Sequence, residues 1–195
     1  MIQQEHLAET PVQNLKVRLV DVAVGLLTEP REMKLPTMRE IAIAAGVTPG
    51  AAYRHFESQA DLFIAVVSQL FAQLEDQLMI AAKRSSDPQV AIGNLIQAYV
   101  GWGLRNPGAY QLLFETNDDE QLLISGERPG LHLIEKLATM ISANDKPSQE
   151  QIQLATRIWV SIHGLVSLRS HKTGMTWTNS VEQEATELLT SLLKP

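Results

Sequence analysis

Apolar positions recur at helical spacing along most of this chain. Residues 12–28 set Val12, Leu15, Leu19, Val22, Ala23 and Leu26 on one face and Lys16, Arg18 and Asp21 on the other, and Glu29-Pro30 ends the run. From Ser58 the same period carries Leu62, Phe63, Val66, Val67, Leu70, Phe71, Leu74 and Leu78 to residue 82. Further helices are predicted over residues 88–105, 109–115, 131–142, 147–171 and 179–193. Ser85-Ser86-Asp87-Pro88 and Asn106-Pro107-Gly108 punctuate them, and residues 117–120 and 126–130 read as loops. The fold class this pattern predicts is all-α.

The densest start and stop signals lie in residues 36–62. Thr37 is placed as an N-cap and Glu40 three residues later completes a capping box. Met38, Ile41, Ala42 and Ala45 give that short helix an apolar face, and Gly46 stands where positive φ is often needed. Val47 is expected in the core. Thr48 and Pro49 then restart the chain as cap and first helical residue, and a second helix is predicted over residues 49–55, ending at Phe56. Two short helices about a glycine turn form a helix-turn-helix. It is too small to hold a core alone, so helix 12–28 must cover it.

The second helix has the chemistry to approach DNA. Gly50, Ala51 and Ala52 leave room beside base edges, and an alanine methyl suits a thymine methyl. Tyr53, Arg54 and His55 are phosphate partners by type. Lys34, Thr37, Arg39, Thr48 and Pro49 complete the candidate surface, and Ser58 to Asp61 cap the next helix.

Charge changes this picture in one respect. The formal net charge is −6, and residues 1–63 hold six Lys or Arg against eight Asp or Glu. Lys34, Arg39, Arg54 and His55 are therefore expected to form a narrow positive strip on an acidic body, with weak sequence-independent DNA binding. There is no cysteine, so disulfides and thiolate metal sites are excluded. The first residues lack signal-peptide regions, and no apolar run approaches the roughly 20 residues of a membrane span, so the expected location is cytoplasmic, without membrane contact. His132, His163 and His171 have no metal-ligand spacing, and no nucleophile-elbow sequence occurs. Neither a metal, a cofactor nor catalysis is expected.

The stretch IAIAAGVTPGAAYRHFESQADL resembles the DNA-binding signature of the tetracycline-repressor (TetR/AcrR) family of bacterial regulators. The resemblance is specific over about residues 12–63 and looser beyond. It implies an all-helical homodimer, with a helix-turn-helix domain over residues 1–57 and a ligand-binding and dimerising helical domain over residues 58–195. Where the family usually carries a phosphate-binding lysine this chain has Gln59, followed by Ala60 in place of an acidic residue. Gln59 can donate a hydrogen bond to phosphate but releases no counterion, which makes the expected salt dependence shallower. Trp159, His163 and Gly164 resemble a signature found in a subgroup of the family.

In the C-terminal part the candidate ligand-lining residues are Trp102, Tyr110, Phe114, His132, Trp159 and His163. Such aromatics also fill ordinary cores, and His163 also reads as a core histidine with a satisfied ring. Few basic residues lie among them, which points to a small neutral or apolar effector. Two apolar stripes, Ile152, Ala155, Ile158, Trp159, Ile162, Val166 and Val181, Ala185, Leu188, Leu189, Leu192, fit either an intramolecular core or a dimer surface, and the resemblance favours a homodimer through the last two helices, with Ala155, Ser161 and Gly164 allowing close approach. The function expected is a ligand-responsive transcriptional regulator, by family habit a repressor, binding a palindromic double-stranded DNA operator. The rival readings are a helical small-molecule binding protein without operator binding and an enzyme using His163.

Overall fold

In the computed structural model, residues 11–28, 35–115, 129–142 and 146–194 are described. Among them the chain forms nine α-helices: α1 Pro11–Thr28, α2 Met38–Ala44, α3 Pro49–Ala52, α4 Gln59–Ala82, α5 Pro88–Arg105, α6 Pro107–Phe114, α7 Pro129–Ser142, α8 Gln149–His171 and α9 Val181–Leu193. Local chemistry explains most of their starts. Thr37, Thr48, Ser58, Asp87, Ser148 and Ser180 each cap a helix through a side-chain oxygen. Thr37–Glu40, Ser148–Gln151 and Ser180–Gln183 close full capping boxes. Gly46 has φ of 70°, the left-handed conformation that turns α2 toward α3.

The second helix of the helix-turn-helix is shorter than its sequence suggests. It ends at Ala52, not His55. Beyond it, the amides of Arg54 and His55 bond the carbonyls of Ala51 and Ala52, so the chain tightens into a turn before Phe56. In the other direction α6 and α7 start earlier than expected, each with proline in its first turn.

Apolar burial runs as one cluster from Leu19 in α1 to Leu189 in α9. Helix α1 packs on α2, α4 and α6, and so joins the helix-turn-helix to the bundle. Helix α4, 24 residues and about 36 Å long by its rise, lies along α5. Its Gln59 Nε2 donates to the Pro36 carbonyl at 3.2 Å, and its Gln69 Nε2 donates to Asp21 Oδ1 of α1 at 2.8 Å. Lys136 of α7 pairs with Glu75. By length and mean hydropathy α4 is a helix that could cross a membrane, contrary to the sequence expectation. Its apolar residues Leu62, Val66, Leu70, Leu74 and Leu78 are buried in the protein core, however, and Gln73, Asp76 and Gln77 are exposed. That alternation belongs to a core helix.

Most of the two stripes expected at a dimer surface faces inward. Ala155, Ile158, Ile162 and Val166 of α8 and Ala185 and Leu189 of α9 are buried in the chain's own core. The outer side of α8 instead exposes Ile152, Val160 and Leu168, with Val160 at 56%. Gly164 lies half-buried among them, and a Cβ at that position would meet nothing within 4 Å.

Candidate DNA-binding surface and effector site

The helix-turn-helix presents its polar residues outward. Arg39, Thr48, Gly50, Tyr53 and Arg54 are exposed, with Tyr53 at 53%, while Pro49, Ala51 and His55 are half-buried. Ala52 and Phe56 hold α3 to the core, and Lys16 of α1 places its ammonium 5.0 Å from the centre of the Phe56 ring. Thr48 Oγ1 accepts from the Ala51 amide and keeps its proton available. Thr37 does not: its hydroxyl donates to Glu40 Oε2 at 2.8 Å, so it braces α2. Gln59 likewise spends a donor on Pro36, inside the fold. Lys34 lies outside the described residues.

Four of the six residues expected to line a ligand site come together. Tyr110 and Phe114 of α6 meet Trp159 and His163 of α8. The imidazole of His163 stacks between Tyr110 and Trp159, with ring centroids 5.5 and 5.1 Å away and interplanar angles of 19° and 16°. Phe114 meets Tyr110, Trp159 and His163 with tilted or edge-on rings. Trp102 is buried in α5, with its carbonyl accepting from the Asn106 side chain, and has no ring contact among the described residues. His132 is exposed on α7 and meets Phe71 of α4 at 5.3 Å, away from the cluster.

Tyr99 joins this cluster although sequence reasoning left it out of the lining. Its hydroxyl donates to the Tyr110 hydroxyl at 3.2 Å. Tyr110 then lies 2.5 Å from His163 Nδ1 and 3.3 Å from the His163 carbonyl. The Tyr110 hydroxyl thus has both the His163 ring nitrogen and the His163 carbonyl within reach, which ties α6 to α8. The Nδ1 of His163 therefore has a side-chain partner. Burial pushes the phenols of Tyr99 and Tyr110 well above their ordinary range, and neighbouring Glu115 adds to that push. Burial lowers His163 from its ordinary value, and Glu115 opposes the shift.

Sequence reasoning also missed Gln111, Glu115 and His171. Glu115 caps the end of α6, and its Oε2 lies 3.3 Å from His171 Nε2 of α8. Its other oxygen, Glu115 Oε1, is buried without a hydrogen-bond partner, as are Gln111 Oε1 and Trp159 Nε1. The Trp159 indole N–H lies near enough to the Tyr99 hydroxyl to favour its ionised form, yet outside bonding geometry. Gly130 of α7 packs on the Trp159 ring, where a Cβ would come within 3.1 Å.

A helix-turn-helix braced by α1 and carried on a helical bundle defines a DNA-binding regulator. Residues 33–66 match the profile described as "Bacterial regulatory proteins, tetR family", and residues 92–192 match "Tetracyclin repressor-like, C-terminal domain". The chain belongs to the TetR family. It is 26% identical over 138 residues to the nucleoid occlusion factor SlmA of Haemophilus ducreyi, covering 66% of this chain and 68% of that one. It is 34% identical over 79 residues to the HTH-type transcriptional regulator BetI of Rhizobium meliloti, covering 40% and 38%. A TetR-family transcriptional regulator from Streptomyces coelicolor shares the fold with a TM-score of 0.75 at 13% identity, over 94% of this chain and 80% of that one.

The depressed titration of His163 has a definite sign. Unfolded chains take up this proton near the ordinary value of 6.5, before the folded protein does. Stability contributed by the neutral ring is therefore present above that value and lost as pH falls below it. The thermal midpoint is expected to drop between about pH 7 and pH 5, with a smaller drop in His163→Gln. Parallel profiles for the two proteins would contradict the assignment.

Proposed function

We propose that this chain is a ligand-responsive transcriptional repressor, divided into a DNA-binding domain over residues 1–57 and a sensing and dimerising domain over residues 58–195. Two copies of the α3 segment enter successive major grooves of a palindromic operator, about 34 Å apart. The observation that carries this reading is the exposed Gly50, Tyr53 and Arg54 surface on a helix whose other side, Ala52 and Phe56, is sealed into the core. Gly50 and Ala51 give the approach to base edges, and Arg39, Tyr53, Arg54 and His55 meet phosphates. Lys34, Thr48 and Pro49 extend the contact.

Small, largely apolar effectors enter at Tyr110, Phe114, Trp159 and His163. Binding there favours a conformer in which α4 tilts and α6 shifts against α1, so the two α3 segments no longer match the groove spacing. The packing of α6 on both α1 and α4 supports this route. Affinity for the two conformers sets the response, and operator and effector weaken each other by the same factor.

Dimerisation uses the outer face of α8 with α9. Val160 and Leu168 are exposed, and Gly164 beside them has no neighbour among the described residues to require its small size. A partner helix does require it, because close helix approach needs a position without a side chain.

Operator sequences selected from random duplexes provide the assay. Tyr53→Ala and Arg54→Ala are each expected to weaken binding to the selected duplex by roughly 1–3 kcal/mol, with an unchanged thermal midpoint because both side chains are exposed. Wild-type affinity in both variants would remove this surface from DNA recognition. The dimer face is tested separately by light scattering. Gly164→Leu is expected to yield folded monomers, and a variant that stays dimeric would place the interface elsewhere.

A further inference from the structure

We propose that the effector of this cluster is an organic cation, an apolar body ending in a protonated amine or amidinium whose N–H groups meet Glu115 and Gln111. This rests on the effector site above and replaces the neutral effector expected from the sequence, a reading that left the Glu115 carboxylate out of account. Five buried polar atoms of the described residues lack partners: the acceptors Gln111 Oε1 and Glu115 Oε1, and the proton carriers Trp159 Nε1, Arg169 Nε and Ser170 Oγ. Gln111 and Glu115 stand four apart on α6 and its cap, so they project from the same side. Trp159 is the proton donor that belongs to the ring cluster, and Glu115 is the one carboxylate among the unmet groups.

The negative charge of Glu115 acts within the cluster, since it bears on Tyr99, Tyr110 and His163. His171 answers only the other oxygen, Oε2, and itself is partly exposed. Its Nδ1 lies 2.8 Å from the Ser167 carbonyl. Among the described residues no side chain supplies a donor to Oε1. The ring cluster of Tyr99, Tyr110, Phe114 and Trp159 beside α6 supplies aromatic surface, which attracts a cation most strongly where water is excluded. A neutral amide offers N–H groups but no charge. A carboxylate meets repulsion from Glu115 and brings no donor. Phe114, Trp159 and His163 are half-buried, so the ring cluster reaches the surface on their side.

Benzamidinium, benzamide and benzoate test the assignment on the full-length protein, because the three have closely similar shapes and differ in charge. Calorimetry gives the affinities, and the indole N–H resonance of Trp159, identified with Trp159→Phe, reports the place. Benzamidinium is expected to bind at least about tenfold tighter than benzamide, with benzoate weakest, and to move the Trp159 resonance. In Glu115→Gln that preference should fall to within about twofold while benzamide affinity is kept, which also shows the variant folded. Benzamide binding as tightly as benzamidinium, a preference that survives Glu115→Gln, or a Trp159 resonance unmoved by benzamidinium would each overturn the proposal. Operator affinity is measured in parallel. Benzamidinium that binds at Trp159 and leaves operator affinity unchanged supports the cation site and sinks its role as an effector site.

Discussion

One hydroxyl oxygen, that of Tyr110, ties three helices at a single point. It accepts from Tyr99 of α5 and has the ring nitrogen Nδ1 of His163 of α8 within reach, while its own backbone belongs to α6. A buried phenol with neither partner would cost about 1–3 kcal/mol, so the position of α6 is set by where those partners stand. Helix α6 is only eight residues long, yet it packs on α1, α4, α5 and α7. The rest of the bundle depends on this short helix being held in register.

From α6 the constraint passes into the DNA-binding end. Helix α1 leans on α6 and on α2, and its Lys16 sits over Phe56 just past α3. Helix α4 is fixed to the same unit at two places, through Gln59 to Pro36 and through Gln69 to Asp21. Protein interiors are close-packed, so a displaced side chain in the ring cluster is not absorbed locally but moves whole helices. Gln59 spends one of its two amide N–H groups as a brace between α4 and the loop before α2.

Much of the fold was legible because caps are local. Thr37 with Glu40, Thr48 with Pro49, and Ser58 before Asp61 announce three helix starts within the chain's own sequence, and each cap forms. The early end of α3 was not legible, because Tyr53, Arg54 and His55 are acceptable helix residues and the tightening is set by Phe56 docking in the core. Periodicity also reveals an apolar stripe without saying what covers it. The stripe from Ala155 to Val166 fits a partner subunit and an intramolecular core equally well by sequence, and it fills the chain's own interior. For the same reason the ring cluster was found only in part. Tyr110, Phe114, Trp159 and His163 converge, while Trp102 and His132 point into other surroundings. The signal for Glu115 and Gln111 was present, two acceptors four residues apart flanking Phe114, but it carried weight only once the rings were known to cluster beside α6.

Amide hydrogen exchange on Tyr110→Phe tests the central claim most directly, because this change removes one oxygen and leaves every DNA-facing residue untouched. If α6 couples the ring cluster to the DNA-binding end, exchange quickens in α6 and α8 and also in α1. Faster exchange confined to α5, α6 and α8, with α1 at its wild-type rate, would contradict the account.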